Sequence, residues 1–143
     1  MSKPSPRRDG REAAVQYLFG HEDLGEAESD TELFPAFWNL RDAKSKAQEF
    51  AEKLVLGIRE HQSAIDDLIS NALDNFKLER LDQVDRNILR LGTYEICYAD
   101  YIPPQAAMNE AIEIAKRFGR EDSPKFINGV LDQILKDTTQ PET

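Results

Sequence analysis

Apolar residues recur along this chain at spacings of three and four, and no stretch keeps the alternation of period two that marks a half-buried strand. The clearest stripe is Ala47, Phe50, Ala51, Leu54, Val55 and Ile58, with charged residues between, which predicts an amphipathic helix. A second stripe runs Ile65, Leu68, Ile69, Ala72, Leu73, Phe76. Two more follow, Met108, Ala111, Ile112, Ala115, Phe118 and then Ile127, Val130, Leu131, Ile134, with Leu135 at its edge. Between them, Leu81–Tyr98 is apolar over a wider arc that includes Val84, Ile88, Leu89, Leu91 and Ile96. A broad arc implies burial on more than one side, so this segment is expected at the centre.

The punctuation divides the chain in the same way. Ser5-Pro6 and Ser123-Pro124 have the form of an N-cap followed by proline in the first turn, where its missing N–H costs nothing. Pro103-Pro104 ends one helix and starts the next. Gly119 is expected just past a helix end in the left-handed conformation, and Thr31 or Asp30 as the cap of a short helix holding Leu33, Phe34, Phe37 and Trp38. Gly57, Gly92 and Gly129 fall inside helices and suggest close helix–helix approach. The expected helices are 6–20, 31–40, 43–60, 62–75, 80–99, 104–118 and 124–137, with 1–5 and 138–143 as frayed tails. The fold class is therefore all-α: about seven helices in two packed small bundles, making one domain over 1–143.

Composition narrows the chemistry. With 143 residues, one cysteine (Cys97) and two separated histidines (His21 and His61), neither a disulfide framework nor a Cys/His zinc site is expected. No phosphate-binding glycine loop, nucleophile elbow or H-E-x-x-H pattern is present. Pairs such as Asp82/Asp85 and Glu110/Glu113 read as solvated helix faces in a chain with 27 acids. The expectation is no enzyme, no cofactor and no metal. No apolar run is long enough to span a bilayer, and the start lacks a signal-peptide core; a cytoplasmic protein without membrane contact is expected.

A net charge of −9 repels phosphates on average and excludes indiscriminate coating of nucleic acid. The charge is unevenly spread. Lys3, Arg7, Arg8 and Arg11 stand near the start, whereas Glu22, Asp23, Glu26, Glu28, Asp30 and Glu32 follow with no base among residues 21–40. The acidic window reads as a solvated loop. On a helical projection of the first segment, Ala14, Tyr17 and Leu18 make the buried stripe, while Arg8 and Arg11 share a flank with Val15 and Phe19. That flank suits single-stranded RNA, bound by cations on phosphate and aromatic rings on splayed bases. The geometry alone favours the alternative, a core Phe19 beside two solvated arginines. On the last helix Phe126, with Lys125 beside it, either stacks on a base or seals the rim of the core.

Arg86-Asn87-Ile88-Leu89-Arg90-Leu91-Gly92-Thr93-Tyr94-Glu95-Ile96, Ile102-Pro103, Asn109-Glu110-Ala111-Ile112-Glu113-Ile114-Ala115-Lys116, Phe118-Gly119, Asp122-Ser123 and Lys125-Phe126-Ile127-Asn128-Gly129-Val130-Leu131-Asp132 occur in this order. This series resembles the NusB family of bacterial transcription antitermination factors. Arg7-Arg8, Arg11-Glu12, Ala14-Val15-Gln16 and Leu18-Phe19 resemble that family's opening helix. The likeness spans roughly residues 5–137 and is densest from 80 to 132.

The resemblance implies an all-helical, non-enzymatic protein. It pairs with NusE, a small-subunit ribosomal protein, on the boxA element of nascent RNA and joins the RNA polymerase antitermination complex with other Nus factors, notably in ribosomal RNA operons. It implies RNA contact for Arg7, Arg8, Arg11, Gln16, Phe19, Asp122, Lys125 and Phe126, and a NusE-facing position for Asp85. Asp9-Gly10 interrupts the basic run, and fewer neutralised phosphates mean weaker binding, so strong dependence on the partner is expected. Three alternatives differ in class. One is the RNA-targeting domain of a ribosomal RNA cytosine methyltransferase, for which a chain ending at Thr143 would be a fragment; another is a protein–protein adaptor without RNA contact; the third is a self-associating form using Phe19.

Overall fold

The computed structural model describes residues 5–24, 28–74 and 76–139. Among them are seven α-helices and no strand: α1 (Pro6–Gly20), α2 (Asp30–Leu40), α3 (Ser45–Glu60), α4 (Gln62–Ala72), α5 (Gln83–Cys97), α6 (Pro104–Phe118) and α7 (Ser123–Thr139), with a 3-10 turn at Leu78–Arg80. The chain divides into two compact units, Met1–Glu60 and His61–Thr143. Of the tails expected to fray, 1–4 and 140–143 lie outside the described residues; Ser5 caps α1, and residues 138 and 139 complete α7.

In the first unit, the Ser5 hydroxyl accepts the Arg8 N–H at 3.1 Å, and Pro6 opens α1. Gly10, which looked like a weak point in this helix, is where α3 comes closest. A Cβ there would lie 2.9 Å from Phe50 Cδ2 and 3.0 Å from the Ala47 carbonyl oxygen, a spacing only glycine tolerates without a shift. Ala14, Tyr17 and Leu18 are buried as expected, and so are Arg11, Glu12, Ala13 and Val15. The buried arc of α1 is thus wider than a single stripe.

Helix α2 starts from Ser29, one residue before the expected caps, with its hydroxyl accepting the Glu32 N–H at 3.3 Å. It is held by polar contacts as well as by the Tyr17, Phe34, Phe37 and Trp38 rings. Tyr17 Oη donates to Asp30 Oδ1 at 2.7 Å, Arg59 Nε donates to Asp30 Oδ2 at 3.0 Å, and the same guanidinium reaches the carbonyls of His21 and Glu22. Asp30 is consequently a buried, paired residue and not part of a solvated loop. Burial and the Asp30 carboxylate push the Tyr17 hydroxyl far above its ordinary range, so it remains a donor.

In the second unit, α5 is central as its wide apolar arc predicts, with Ile88, Leu89 and Leu91 fully enclosed. Asp82 caps it, accepting from Val84 and Asp85 N–H at 3.2 and 3.3 Å. Gly92 lies so close to α7 that a Cβ would come within 2.7 Å of Leu131 Cδ1. Gly129, by contrast, faces open space. Arg90 forms a two-pronged pair with Asp66 at 2.9 and 3.1 Å, joining α5 to α4. Gly119 is not left-handed: its backbone is extended at φ −90°, ψ −176°. Glycine is needed there because a Cβ would meet Ser123 Cβ at 2.7 Å and the Ala115 carbonyl oxygen at 2.8 Å. Ser123 opens α7 itself, and its hydroxyl accepts the Arg120 N–H at 2.9 Å.

The Tyr17–Asp30–Arg59 cluster yields a stability prediction. Removing the cation in Arg59→Ala strands a buried carboxylate and is expected to cost about 3–5 kcal/mol. Tyr17→Phe removes one bond from a carboxylate that stays paired and should cost about 1.5 kcal/mol. Urea denaturation of both variants checks the order; equal losses would contradict it.

Candidate nucleic-acid interface

In the first unit, Arg7 and Arg8 are exposed in the first turn of α1. Arg7 lines a groove of ≈ 480 Å³ with Lys46, Glu49, Phe50 and Lys53. The Arg7 guanidinium lies 5.5 Å from the centre of the Phe50 ring, and that of Arg11 lies 5.3 Å from it, within range of cation–π attraction. Lys46 and Lys53 have no ion pair among the described residues. These two lysines escape a reading of α1 alone, because they sit on α3 and join Arg7 only through the crossing at Gly10.

Arg11 departs from the sequence expectation. It does not share an exposed flank with Arg8; it is 4 % exposed, covered because α3 packs against α1 at Gly10 and carries Phe50 over it. Gln16 is half-buried, and its Oε1 accepts from Arg41 Nε at 2.7 Å. The same guanidinium holds Asp9 at 2.9 Å. The carboxylate that interrupts the basic run is therefore paired with an arginine at the end of α2. Phe19 is 47 % exposed, so it is not a core residue.

In the second unit, Lys125 and Asp122 are exposed in and just before the first turn of α7, and Phe126 is half-buried. Lys125 and Phe126 line a second groove, of ≈ 740 Å³, together with Phe76. Phe76 was expected on the buried stripe of α4. That helix ends at Ala72, Leu73 turns to extended backbone at φ −85°, ψ 127°, and Phe76 is left 61 % exposed.

Asp85 is 8 % exposed. It lies in the first turn of α5 beside Ser123, with which it shares a hydrogen bond. Burial pushes its carboxyl above the usual range; the Ser123 bond opposes this, Asp82 and Asp122 add to it, and Arg120 opposes it. Its Oδ1 has no hydrogen-bond partner among the described residues. Cys97 has its thiol pushed up by burial, which disfavours the nucleophilic thiolate. Among the described residues no group of His, Cys, Asp and Glu is arranged to hold a metal ion, and no helix is long and apolar enough to cross a membrane.

An all-helical chain whose two units each present an exposed cation or more beside an aromatic ring has a surface chemistry suited to RNA. The NusB family model matches residues 8–136. The transcription antitermination protein NusB of Bacillus subtilis is 47 % identical over 134 residues, covering 94 % of this chain and 98 % of the relative. The solved structure of T. maritima NusB is 45 % identical with a TM-score of 0.78, covering 96 % of this chain and 94 % of that one. A crystal structure of antitermination factors NusB and NusE in complex with double-stranded RNA matches at 31 % identity and a TM-score of 0.79, covering 92 % and 97 %. This chain belongs to the NusB family.

The raised carboxyl of Asp85 gives a pH prediction. A folded-state pKa above the unfolded one means that the native state holds the proton longer. Stability therefore declines as pH rises from the ordinary carboxylate value, about 3.9, through Asp85's folded value. Asp85→Asn lacks this decline, so the variant should gain on the wild type as pH rises from about 4 to 7. Denaturation at both ends of that range checks it; a variant that loses stability relative to the wild type as pH rises would contradict it.

Proposed function

We propose that this chain is a transcription antitermination factor that binds boxA-type single-stranded RNA together with NusE. It joins the RNA polymerase antitermination complex with other Nus factors, works in the cytoplasm and contributes no catalytic step. The observation that carries the reading is the pairing of exposed cations with aromatic rings at two places on an acidic chain: Arg7, Lys46 and Lys53 around Phe50, with Arg8 exposed in the same helical turn as Arg7, and Lys125 beside Phe126. Membership of a family that includes a NusB–NusE–RNA structure supports it. The aromatic rings favour an unpaired strand, because bases stacked within a duplex do not present their faces.

Roles divide by exposure. Arg7, Arg8 and Lys125 act on phosphate, Phe126 stacks, and Phe19 and Asp122 border the strand. Arg11 and Gln16 position: Arg11 steadies the Phe50 ring, and Gln16 holds Arg41 away from the strand. Asp85 serves the NusE side from the first turn of α5. Both units serve one RNA-binding domain.

Fluorescence anisotropy with a labelled boxA-type RNA tests the reading. Affinity is expected to be weak for the chain alone and to rise strongly with NusE; equal affinity with and without NusE contradicts it, as does preference for the duplex form of the same RNA. Arg8→Ala should lower affinity and reduce the slope of log affinity against log salt by about 0.7, the value of one phosphate contact on a single strand. An unchanged slope removes Arg8 from the phosphate contacts.

A further inference from the structure

The groove beside Phe126 contains more than the two residues that the RNA reading uses. Phe76, in the segment between α4 and the 3-10 turn, lines it from the opposite direction in sequence, 50 residues away from Phe126. A phenylalanine 61 % exposed to water leaves most of its apolar area unused by the fold. Its burial against a ligand recovers the apolar area that folding leaves uncovered. Asn71, Asp74 and Lys125 line the same groove, and none of the three has a side-chain hydrogen bond or ion pair among the described residues. Asp137 is also present, already accepting from Gln133 Nε2 at 2.8 Å.

The charges decide what fits. Two carboxylates against one lysine make a poor track for a run of phosphates, so the groove does not hold a length of backbone. Planar rings, an amide, an acceptor carboxylate and a single cation match one nucleotide. Its base would lie against the phenyl rings, its N–H edge on Asp74 or Asn71, and its phosphate on Lys125.

We propose that Phe76 is a second base-stacking residue and that it and Phe126 define a pocket for one unpaired RNA base bearing N–H donors. This inference rests on the RNA-binding reading and extends it to a residue outside α7. Continuity with Lys125 and Phe126 selects RNA as the occupant over an apolar peptide.

The test uses the full chain with NusE and a labelled single-stranded boxA-type RNA. Alanine replacement of a stacking aromatic costs roughly 5- to 150-fold in affinity, and Phe76→Ala should fall in that range. Its salt slope should stay that of the wild type, because no phosphate contact is lost, whereas Lys125→Ala should flatten the slope. Phe76→Trp should keep wild-type affinity, and RNA should quench its added fluorescence beyond any change of the native Trp38. Helix content of Phe76→Ala and its binding to NusE without RNA should not change. Wild-type RNA affinity in Phe76→Ala with weakened binding in Phe126→Ala overturns this inference and leaves the RNA reading standing. Loss of NusE binding in Phe76→Ala also overturns it, making the ring a protein contact. If the wild type with NusE binds no such RNA, the RNA reading falls and this inference falls with it.

Discussion

Arg59, Arg41 and Arg90 turn their guanidinium groups inward, onto Asp30, onto Asp9 with Gln16, and onto Asp66, and the character of the remaining surface follows from that pairing. A chain with 27 acids and 18 bases has few cations to spare. Arginine's planar fork suits it to carboxylates and backbone carbonyls in half-buried settings, and here it fastens α2 to its neighbours and α4 to α5. Lysine is left to face outward, with Lys46, Lys53 and Lys125 unpaired among the described residues. An acidic protein of this kind meets a polyanion at restricted points, where an aromatic ring supplies attraction that charge alone would not.

The close crossing of α1 and α3 makes one of those points. With no side chain at Gly10, α3 approaches until Phe50 lies between Arg7 and Arg11, and Lys46 and Lys53 line a groove with Arg7. In the proposed reading the ring and the buried arginine form a platform from which the exposed cations act. A few cations on a repellent body give modest affinity by themselves, so a partner that adds contacts gains leverage over where and when RNA is bound.

Most of the architecture was legible in the sequence because apolar periodicity and proline punctuation agree over long stretches. The exceptions have specific causes. The stripe through Leu73 and Phe76 continues at helical spacing, but the chain turns at Leu73 and leaves Phe76 outside; Asp74-Asn75 was the available signal for that turn. The exposed flank drawn for Arg11 assumed that α1 buries one face. Gly10 carried the contrary information, since a glycine within a helix invites close approach. The pairing of Asp30 with Arg59 spans 29 residues, which no local pattern encodes. Lys46 and Lys53 were visible as surface lysines of α3, yet their company with Arg7 is a tertiary fact. Helical projection pointed to Arg8, Arg11, Phe19, Lys125 and Phe126 and family resemblance added the rest; the structure leaves Arg7, Arg8, Phe19, Asp122 and Lys125 exposed, Gln16 and Phe126 half-buried and Arg11 buried.

Backbone amide chemical-shift mapping of the labelled chain, saturated with NusE and titrated with single-stranded boxA-type RNA, tests the central claim most directly. The account predicts RNA-dependent shifts concentrated in the first turns of α1 and α7, around Lys46 and Lys53, and in the segment that carries Phe76. Shifts confined to the acidic faces of α2 and α6, with the first turns of α1 and α7 unmoved, would contradict it.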